Sequence, residues 1–362
     1  MSNLTILLTL KGRKKFTKRW LDWLVLEKCS YKIIIADGDT DKNYSKKLIK
    51  DPNYKYLDLN YIEFPDDIDI RQYLKKFNNS ISLIKTKYAI LADNDDFIII
   101  ENLKKAIEFM DANSDIQTLA LPHYRFKIKN NLSHTDPNKN LYAYGGVINF
   151  QSLKHINIKK FNKKSVLSRL IACVKFFPSD YFFYSLHKTE NLKKIIEISS
   201  KNQFQYIFFW ERYITYAIGI IGNIGTNFSI DPFVVRQENT SMLASSLVDK
   251  EKLIKIRYSP VWTQQYHHFV DRLHEMSTNY LSLSRFNFSL FFSIYFLLNT
   301  QLRIFHGLIG SILKYFNLIY IYNKFNKVLL YTLGKSRINL NNDDIFKKQH
   351  LKKLSEFLNC KN

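Results

Sequence analysis

Residues 88–97, Tyr-Ala-Ile-Leu-Ala-Asp-Asn-Asp-Asp-Phe, decide the fold that we expect. The apolar first half predicts a short buried strand, and Asp93, Asp95 and Asp96 crowd its carboxyl end. Ligands bind at this edge of open α/β sheets. Crowded carboxylates repel one another unless a cation or a ligand compensates them, and Mg²⁺ and Mn²⁺ prefer such oxygen ligands. The alternative is an acidic turn that caps the helix predicted from Glu101, because Asp and Asn favour turns and N-caps.

The chain before this stretch alternates apolar runs, which predict strands, with segments of helical periodicity. We expect strands at residues 4–10, 31–36, 57–64 and 88–92, and helices at residues 16–26, 42–50, 71–84 and 101–112. Strands joined through helices pair in parallel with right-handed crossovers. The predicted fold class is therefore α/β, a Rossmann-like, mostly parallel sheet flanked by helices, with polar strand ends gathered along one edge.

Composition narrows the choice of partner and compartment. The 362 residues carry 54 basic and 32 acidic side chains, a net charge of +22, which favours a phosphorylated substrate, an acidic membrane face or nucleic acid. The three cysteines, Cys29, Cys173 and Cys360, lie far apart and indicate neither a disulfide framework nor a zinc site. They are typical of the reducing cytoplasm. Residues 1–10 predict a strand rather than a signal peptide.

The order of these elements resembles the N-terminal half of nucleotide-sugar glycosyltransferases with the GT-A fold, of the family-2 kind. That family opens with a Pro-Thr-x-Asn-Arg-like turn. Residues 8–13, Leu-Thr-Leu-Lys-Gly-Arg, occupy this place, where Arg13 matches the arginine while the proline and the asparagine are missing. Residues 37–39, Asp-Gly-Asp, match its Asp-x-Gly-Ser turn. Asn78 fits an asparagine before the metal strand, and residues 93–95, Asp-Asn-Asp, fit its D-x-D motif.

The resemblance implies a nucleotide-sugar donor, with a UDP-sugar as the first choice, and Mn²⁺ or Mg²⁺ held by Asp93 and Asp95. A later segment resembles the family's Tyr-Arg-x-His-x-x-Ser motif through Arg236 and Ser241, although its histidine is absent. Arginine suits a diphosphate because its fork pairs with two oxygens, and a structural salt bridge is the alternative for Arg236. The residues predicted to bind the donor are Thr9, Lys11, Arg13, Asp37, Asp39, Asn78, Asp93, Asn94 and Arg236.

An acidic residue on a helix acts as general base in the resembled enzymes, and two residues here are candidates. Glu211 lies in the aromatic stretch 204–213, where apolar surroundings would raise its proton affinity. Asp180, beside a second aromatic stretch, is the second candidate. A buried ion pair with Arg212 is the structural alternative for Glu211. A base in this role implies direct displacement with inversion.

The second half of the chain is predicted in less detail. Residues 1–245 are expected to form the catalytic domain, with a nucleotide-sugar-binding half over 1–110 and an acceptor half over 111–245. Within the acceptor half we expect one strand over 118–127 and a helix over 189–199 with Thr189 as N-cap. Residues 246–362 are predicted to be helical, with His267, His268 and His274 on helices and not in a zinc site.

Residues 286–335 mix aromatic, aliphatic and lysine side chains. Residues 286–302 carry no charge, but they are too few and too polar to predict a span, which needs about 20 apolar residues. The composition favours helices lying on an anionic membrane surface. A helical subdomain packed on the catalytic domain or on a second subunit is the alternative.

The leading prediction is a metal-dependent, inverting glycosyltransferase of surface polysaccharide or glycolipid assembly, with a glycan or lipid-linked acceptor. We expect it in the cytoplasm, peripheral to the inner face of the membrane. A nucleotidyl- or polyol-phosphate transferase is the alternative enzyme, although the chain lacks a glycine-rich phosphate loop. A non-enzymatic membrane or nucleic-acid binder ranks last. Nucleic acid is not expected as a partner because the basic residues are spread along the chain without a recognised module.

Overall fold

Two β-sheets flanked by helices organise the chain in the computed structural model. The structure describes residues 3–39, 42–129, 142–155, 165–176, 184–201, 204–227, 229–238, 260–294, 335–339 and 348–359. The strands are β1 (Leu4–Leu10), β2 (Lys32–Asp37), β3 (Asp58–Glu63), β4 (Tyr88–Ala92), β5 (Phe97–Ile98), β6 (Ile116–Leu119), β7 (Tyr124–Ile128), β8 (Val147–His155), β9 (Leu186–Lys188), β10 (Asn223–Gly225), β11 (Val234–Gln237) and β12 (Lys335–Asn339). The helices are α1 (Lys14–Leu26), α2 (Lys42–Ile49), α3 (Ile70–Ser82), α4 (Ile100–Ala112), α5 (Val166–Phe176), α6 (Thr189–Ser200), α7 (Ile207–Ile221), α8 (Pro260–Ser277) and α9 (Gln349–Asn359), with a 3₁₀ turn at Pro52–Tyr54 and a further helical segment at 285–294.

The larger sheet has seven strands in the order β10-β6-β9-β4-β1-β2-β3. Its strand pairings are parallel except for the two made by β9, which confirms the predicted α/β class with a mostly parallel sheet flanked by helices. In the β1 register, Leu10 lies opposite Asp37 of β2, and Leu8 lies opposite Ala92 of β4. The residues that follow these three strands therefore meet at one edge, as predicted.

The smaller sheet has five strands in the order β12-β8-β7-β11-β5. Strand β5 pairs with β11 and begins directly after the aspartates, so residues 93–96 form the link from one sheet to the other. Helix α4 begins only at Ile100 and has Ile99 as its N-cap. The acidic residues therefore do not cap this helix, which contradicts the alternative that the sequence left open.

Three features of the second half of the chain differ from the sequence prediction. The strand expected over 118–127 is two strands, β6 and β7, in different sheets. They separate at Pro122, which has no N–H to donate to a ladder. Thr189 is the first residue of α6 rather than its N-cap, which is Lys188. The C-terminal region, predicted to be helical, contains β12, which pairs with β8 of the smaller sheet.

The two faces of the larger sheet carry separate cores, because side chains alternate along its strands. Leu7 of β1 belongs to the core beneath α3 and α5–α8, whereas Ile6 belongs to the core beneath α1, α4 and α9. Helix α9 packs there through Phe357, whose ring centroid lies 5.4 Å from that of Trp23. The chain's last described helix therefore lies on its first. The domain division at residue 245 stays a prediction.

No helix within the described ranges is both long enough and apolar enough to cross a bilayer. Most of the 286–335 stretch, residues 295–334, lies outside the described part of the chain.

Candidate active site

The acidic turn, residues 93–96, brings three carboxylates together. Asp93, Asp95 and Asp96 each offer one oxygen, and these oxygens lie within 4.8 Å of one another. Asp95 and Asp96 are 8% and 5% exposed, and Asp93 is half-buried. Three clustered carboxylate oxygens are the donor set that Mg²⁺ and Mn²⁺ prefer. The arrangement fits the predicted metal site and adds Asp96 to the two predicted ligands.

Two arginines partly compensate these carboxylates. Arg13 Nη1 donates to Asp95 Oδ2 at 2.7 Å, and Arg236 Nε lies 3.4 Å from Asp96 Oδ2. Arg13 has a left-handed backbone with φ of 59°, directly after Gly12 with φ of 71°. Such a conformation is unfavourable for a residue with a side chain, and it often marks a functional site. The Arg236 contact is the salt bridge that the sequence left open as an alternative to phosphate binding.

The carboxylates nevertheless keep an unusual affinity for protons. Burial, followed by the charge of Asp95, raises the pKa of Asp93 to about 6. Burial, followed by the charge of Asp95, raises the pKa of Asp96 to about 7. The arginines act in the opposite direction but do not cancel these effects. A site with such excess negative charge favours a bound cation near neutral pH.

Arg19, which the sequence reasoning missed, fastens the acidic turn to its surroundings. Its side chain is fully buried, donating from Nη2 to the Asp95 carbonyl at 2.7 Å and from Nη1 to Gln237 Oε1 at 2.6 Å. Phe16 and Phe97 flank the guanidinium, with ring centroids at 4.7 and 4.6 Å. Burial lowers the Arg19 pKa to about 10, so the group stays charged at neutral pH. An arginine on the apolar face of α1 was the available signal in the sequence.

Tyr184, a second missed residue, connects the acidic turn to Arg236. Its hydroxyl donates to Asp93 Oδ2 at 3.0 Å, and the Arg236 guanidinium lies 4.3 Å from its ring centroid. The ring of His123 lies 5.6 Å from that of Tyr184. Nothing in the local sequence indicated this role, because Tyr184 reaches the site only through the fold.

The predicted donor-binding residues of the first two strand ends lie beside the acidic turn. Asp37 is buried, accepts from the Tyr61 hydroxyl at 2.9 Å, and accepts from the Asp39 main-chain N–H at 2.8 Å. Thr9 hydrogen-bonds to Tyr73, and Lys11 Nζ donates to the Asp67 carbonyl.

Gly38, in the same turn as Asp37, allows a close approach of chain segments. A Cβ built on Gly38 would lie 2.1 Å from Asp67 Oδ2, so only glycine fits against this carboxylate.

The remaining predicted residues are placed as follows. Asn94 Nδ2 donates to Thr17 Oγ1 of α1 at 3.0 Å, so this side chain holds the turn in place. Asn78 is half-buried on α3, and none of the described contacts joins it to the acidic residues. Glu211 is half-buried on α7, and Asp180 lies outside the described residues.

Tyr73 lies within electrostatic reach of both Glu211 and the acidic turn. Burial raises the pKa of Tyr73, and the charges of both Asp93 and Glu211 raise it further. The Tyr73 ring also packs edge-on against Trp210 of α7, with centroids 5.8 Å apart. The charges of the preferred candidate base and of the acidic cluster therefore act on one and the same tyrosine.

Comparison with known proteins gives matches only among solved structures. No family model matches the chain, and no curated protein matches it. TarS residues 1–349 from S. aureus, in complex with UDP, is 15% identical, with 80% of this chain and 75% of that chain covered and a TM-score of 0.41. The chain spans 45% of a longer TarS structure.

Two further solved structures show similarly weak resemblance. The mannosyltransferase PcManGT from Pyrobaculum calidifontis, in complex with GDP-Man and Mn²⁺, is 12% identical, with 92% of this chain and 84% of that chain covered and a TM-score of 0.42. A 4-diphosphocytidyl-2C-methyl-D-erythritol synthase from Anaerococcus prevotii is 8% identical, with 70% and 99% covered and a TM-score of 0.35. With overall similarity this low, it is the arrangement of the site residues that supports a function.

Proposed function

We propose that this chain is a glycosyltransferase that moves a sugar from a nucleotide-sugar donor to a glycan or lipid-linked acceptor. The acidic turn carries the proposal: three crowded carboxylates with two arginines lie at the carboxyl ends of parallel strands. This edge is where α/β sheets bind ligands. Paired acidic and cationic groups suit a donor whose leaving group is a diphosphate. A UDP-sugar is the first donor to test.

Asp93 and Asp95, joined by Asp96, are the residues that would hold Mn²⁺ or Mg²⁺. A divalent ion bound in such a site would neutralise the negative charge that develops on the leaving diphosphate. The raised pKa values of Asp93 and Asp96 support this assignment, because the arginines alone leave negative charge uncompensated.

The chain's own cations would bind and orient the diphosphate. The side chains of Arg13 and Arg236 are 16% and 25% exposed, so both guanidinium groups reach the surface of the site. Each could exchange part of its carboxylate contact for phosphate oxygens through two-point hydrogen bonding. Asp37 and Asp39, at the end of β2, are assigned to binding the nucleobase or the ribose of the donor.

Glu211 is the proposed general base for the acceptor hydroxyl. It lies on α7 among aromatic residues, and its charge acts on Tyr73 together with that of Asp93. A carboxylate positioned in this way removes the hydroxyl proton as the acceptor attacks, which gives inversion at the sugar carbon. Asp180 remains the second candidate.

The decisive experiment is binding and turnover of radiolabelled UDP-sugars by the full chain, with and without Mn²⁺. We expect binding that Mn²⁺ strengthens, and release of UDP when an acceptor glycan is added. Release of UMP from the UDP-sugar would instead assign transfer of a phosphorylated group, as in polyol-phosphate transfer. Release of pyrophosphate when a nucleoside triphosphate is supplied with a sugar phosphate would assign nucleotidyl transfer. Absence of binding to every nucleotide sugar tested, in protein shown to be folded, would contradict the proposal.

We further propose that the protein attaches peripherally to an anionic membrane, where lipid-linked acceptors of surface polysaccharide assembly lie. Phe286, Leu290 and Ile294 are 74%, 54% and 50% exposed and lie four residues apart on the helical segment 285–294. They form one apolar face, while Phe288 and Phe292 are buried on the other side. The net charge of +22 favours an anionic surface.

Vesicle flotation tests the attachment. The protein is expected to float with anionic liposomes at low salt and to be partly released at high salt. Leu290→Glu, which places a charge in the exposed apolar face, should weaken flotation, whereas the matched change at exposed Tyr56, Tyr56→Glu, should not. Intact protein that stays in the soluble fraction under both conditions would overturn the attachment.

A further inference from the structure

A group of half-buried aromatic side chains lies at the start of α7, next to Glu211. We call Tyr206, Phe208 and Trp262 the aromatic face. The rings of Phe208 and Trp262 are stacked, with centroids 5.7 Å apart and planes at 29°. The ring of Tyr206 lies 6.5 Å from that of Trp262. The guanidinium of Arg212 lies 5.4 Å from the Phe208 centroid and adds a cation at the edge of the face.

Contacts beneath the aromatic face hold it in place. The buried ring of Phe209 contacts Trp262 with centroids 4.5 Å apart. Gln265 Oε1 of α8 accepts from the main-chain N–H of Gln205 at 2.7 Å, which ties α8 to the residues just before α7. The rings are therefore preorganised, and their surface in contact with water is apolar area that a ligand could bury.

The aromatic face is continuous with the proposed site. Phe208, Glu211 and Arg212 stand at positions i, i+3 and i+4 of α7, so their side chains lie on the same side of the helix. The charge of Glu211 acts on Tyr73, as does that of Asp93 in the acidic turn. A molecule bound on the aromatic face would therefore lie beside the proposed base.

We propose that the aromatic face binds a pyranose ring of the acceptor, as a subsite of the glycosyltransferase activity proposed above, on which it rests. An aromatic ring has a negative face, and the C–H bonds on one side of a pyranose present the positive charge that packs against it. Arg212 and Glu211 at the edge offer a donor and an acceptor for the sugar hydroxyls. A lipid chain would use the rings but neither charge, so the combination favours a sugar.

Saturation-transfer difference NMR on the full chain tests the subsite with three probes: methyl β-D-glucopyranoside, methyl β-D-galactopyranoside and methyl N-acetyl-β-D-glucosaminide. We expect transfer to the ring C–H protons of at least one probe. Trp262→Ala should weaken binding by at least about tenfold, the usual effect of removing an aromatic anchor from the centre of a contact surface. Trp262→Phe keeps a ring and should retain part of the signal. Tyr56→Ala, which removes an aromatic ring that is 78% exposed, should leave the signal unchanged.

Two controls separate this proposal from folding and from the proposed function. Arg212→Ala removes the cation at the edge of the aromatic face and leaves the buried hydrophobic core intact. This variant should therefore bind the sugar more weakly while its melting temperature is unchanged. UDP binding with Mn²⁺ is measured on the same samples, and Trp262→Ala should leave it unchanged. Normal UDP binding without a signal from any pyranoside would overturn the aromatic subsite alone. Full pyranoside binding by folded Trp262→Ala would also overturn the aromatic subsite. Loss of liposome flotation in that variant would overturn it too, because the aromatic face would then be assigned to lipid binding.

Discussion

Two ion pairs lie at the same edge of the larger sheet, and they differ in how far they are sealed from water. Lys76 and Asp67 are 1% and 5% exposed, with 2.5 Å between Nζ and Oδ2. Arg13 and Asp95 are 16% and 12% exposed, with 2.7 Å between Nη1 and Oδ2. We infer that the first pair is a fixed part of the fold, whereas the second can exchange its partner for a ligand.

The sealed pair also shapes the strand ends around it. Lys76 Nζ donates to the carbonyl of Leu10 at 3.0 Å, at the last residue of β1. Its partner Asp67 lies against Gly38, where a Cβ would clash. Burial lowers the pKa of Lys76, and its hydrogen bond to the Asp67 carboxylate opposes this effect. A charge in this position needs its partner, because an unpaired buried charge is strongly destabilising.

The largest expected effect comes from breaking the sealed pair. Lys76→Met leaves the Asp67 charge buried without its partner and should lower the free energy of unfolding by about 3–5 kcal/mol. Denaturant titration measures this loss. Lys75→Met changes the exposed neighbouring lysine of α3 and should stay within about 0.5 kcal/mol. A loss for Lys76→Met no larger than for the control would show that the pair is not structural.

Asp95→Ala breaks the more exposed pair, and it should reduce activity strongly while changing the free energy of unfolding little. Removing a metal-holding carboxylate should lower the transfer rate by about 10³-fold, several kcal/mol of transition-state stabilisation. The fold should remain largely intact, since the Arg13 released is partly exposed. Initial rates of UDP release, with the exposed Asp58→Ala as control, test this expectation. Full activity of the variant in the presence of a chelator would contradict the metal site.

Glu211→Gln tests whether Glu211 is the general base of the proposed active site. The variant should bind the donor normally but lose about 10²-fold in kcat, the usual contribution of general base catalysis. Glu197→Gln, at an exposed position of α6, is the matched control. Near-normal turnover in Glu211→Gln would move the role to Asp180 or to another acid.

The smallest effect concerns the response of the acidic turn, which contains the more exposed pair's Asp95, to pH and to metal. Asp93 and Asp96 have raised pKa values in the folded state, about 6 and about 7 against 3.8 for an ordinary aspartate. Their contribution to stability is therefore fully present below pH 3.8 and is lost as the pH rises through 6 to 7.

Mn²⁺ competes with these protons, so it should stabilise the protein more at pH 8 than at pH 5. At tenfold excess over its dissociation constant the gain at pH 8 is about 1.4 kcal/mol. Thermal unfolding at both pH values measures it, and Asp95→Ala should remove most of the gain. Equal stabilisation by Mn²⁺ at pH 5 and pH 8 would contradict the assignment of these carboxylates as ligands.

The sequence by itself determined the elements whose signals are local. Strands β1 and β4 have the predicted bounds, and α1 ends at the predicted residue. Hydrophobic periodicity is a property of neighbouring residues, so it is readable without the fold. The same reasoning put Asp93, Asp95 and Asp96 at a strand end, and the parallel order of the strands followed from the helices between them.

Only the tertiary structure decided what surrounds those aspartates. Arg19 reaches the Asp95 carbonyl across 76 residues, Tyr184 reaches Asp93 across 91, and Gln237 reaches Asp96 across 141. Such contacts depend on strand order and on the second sheet, in which β11 lies beside β5. Neither periodicity nor composition encodes that pairing. The sequence alone therefore located the acidic residues, whereas the fold determined which cations and hydroxyls compensate them.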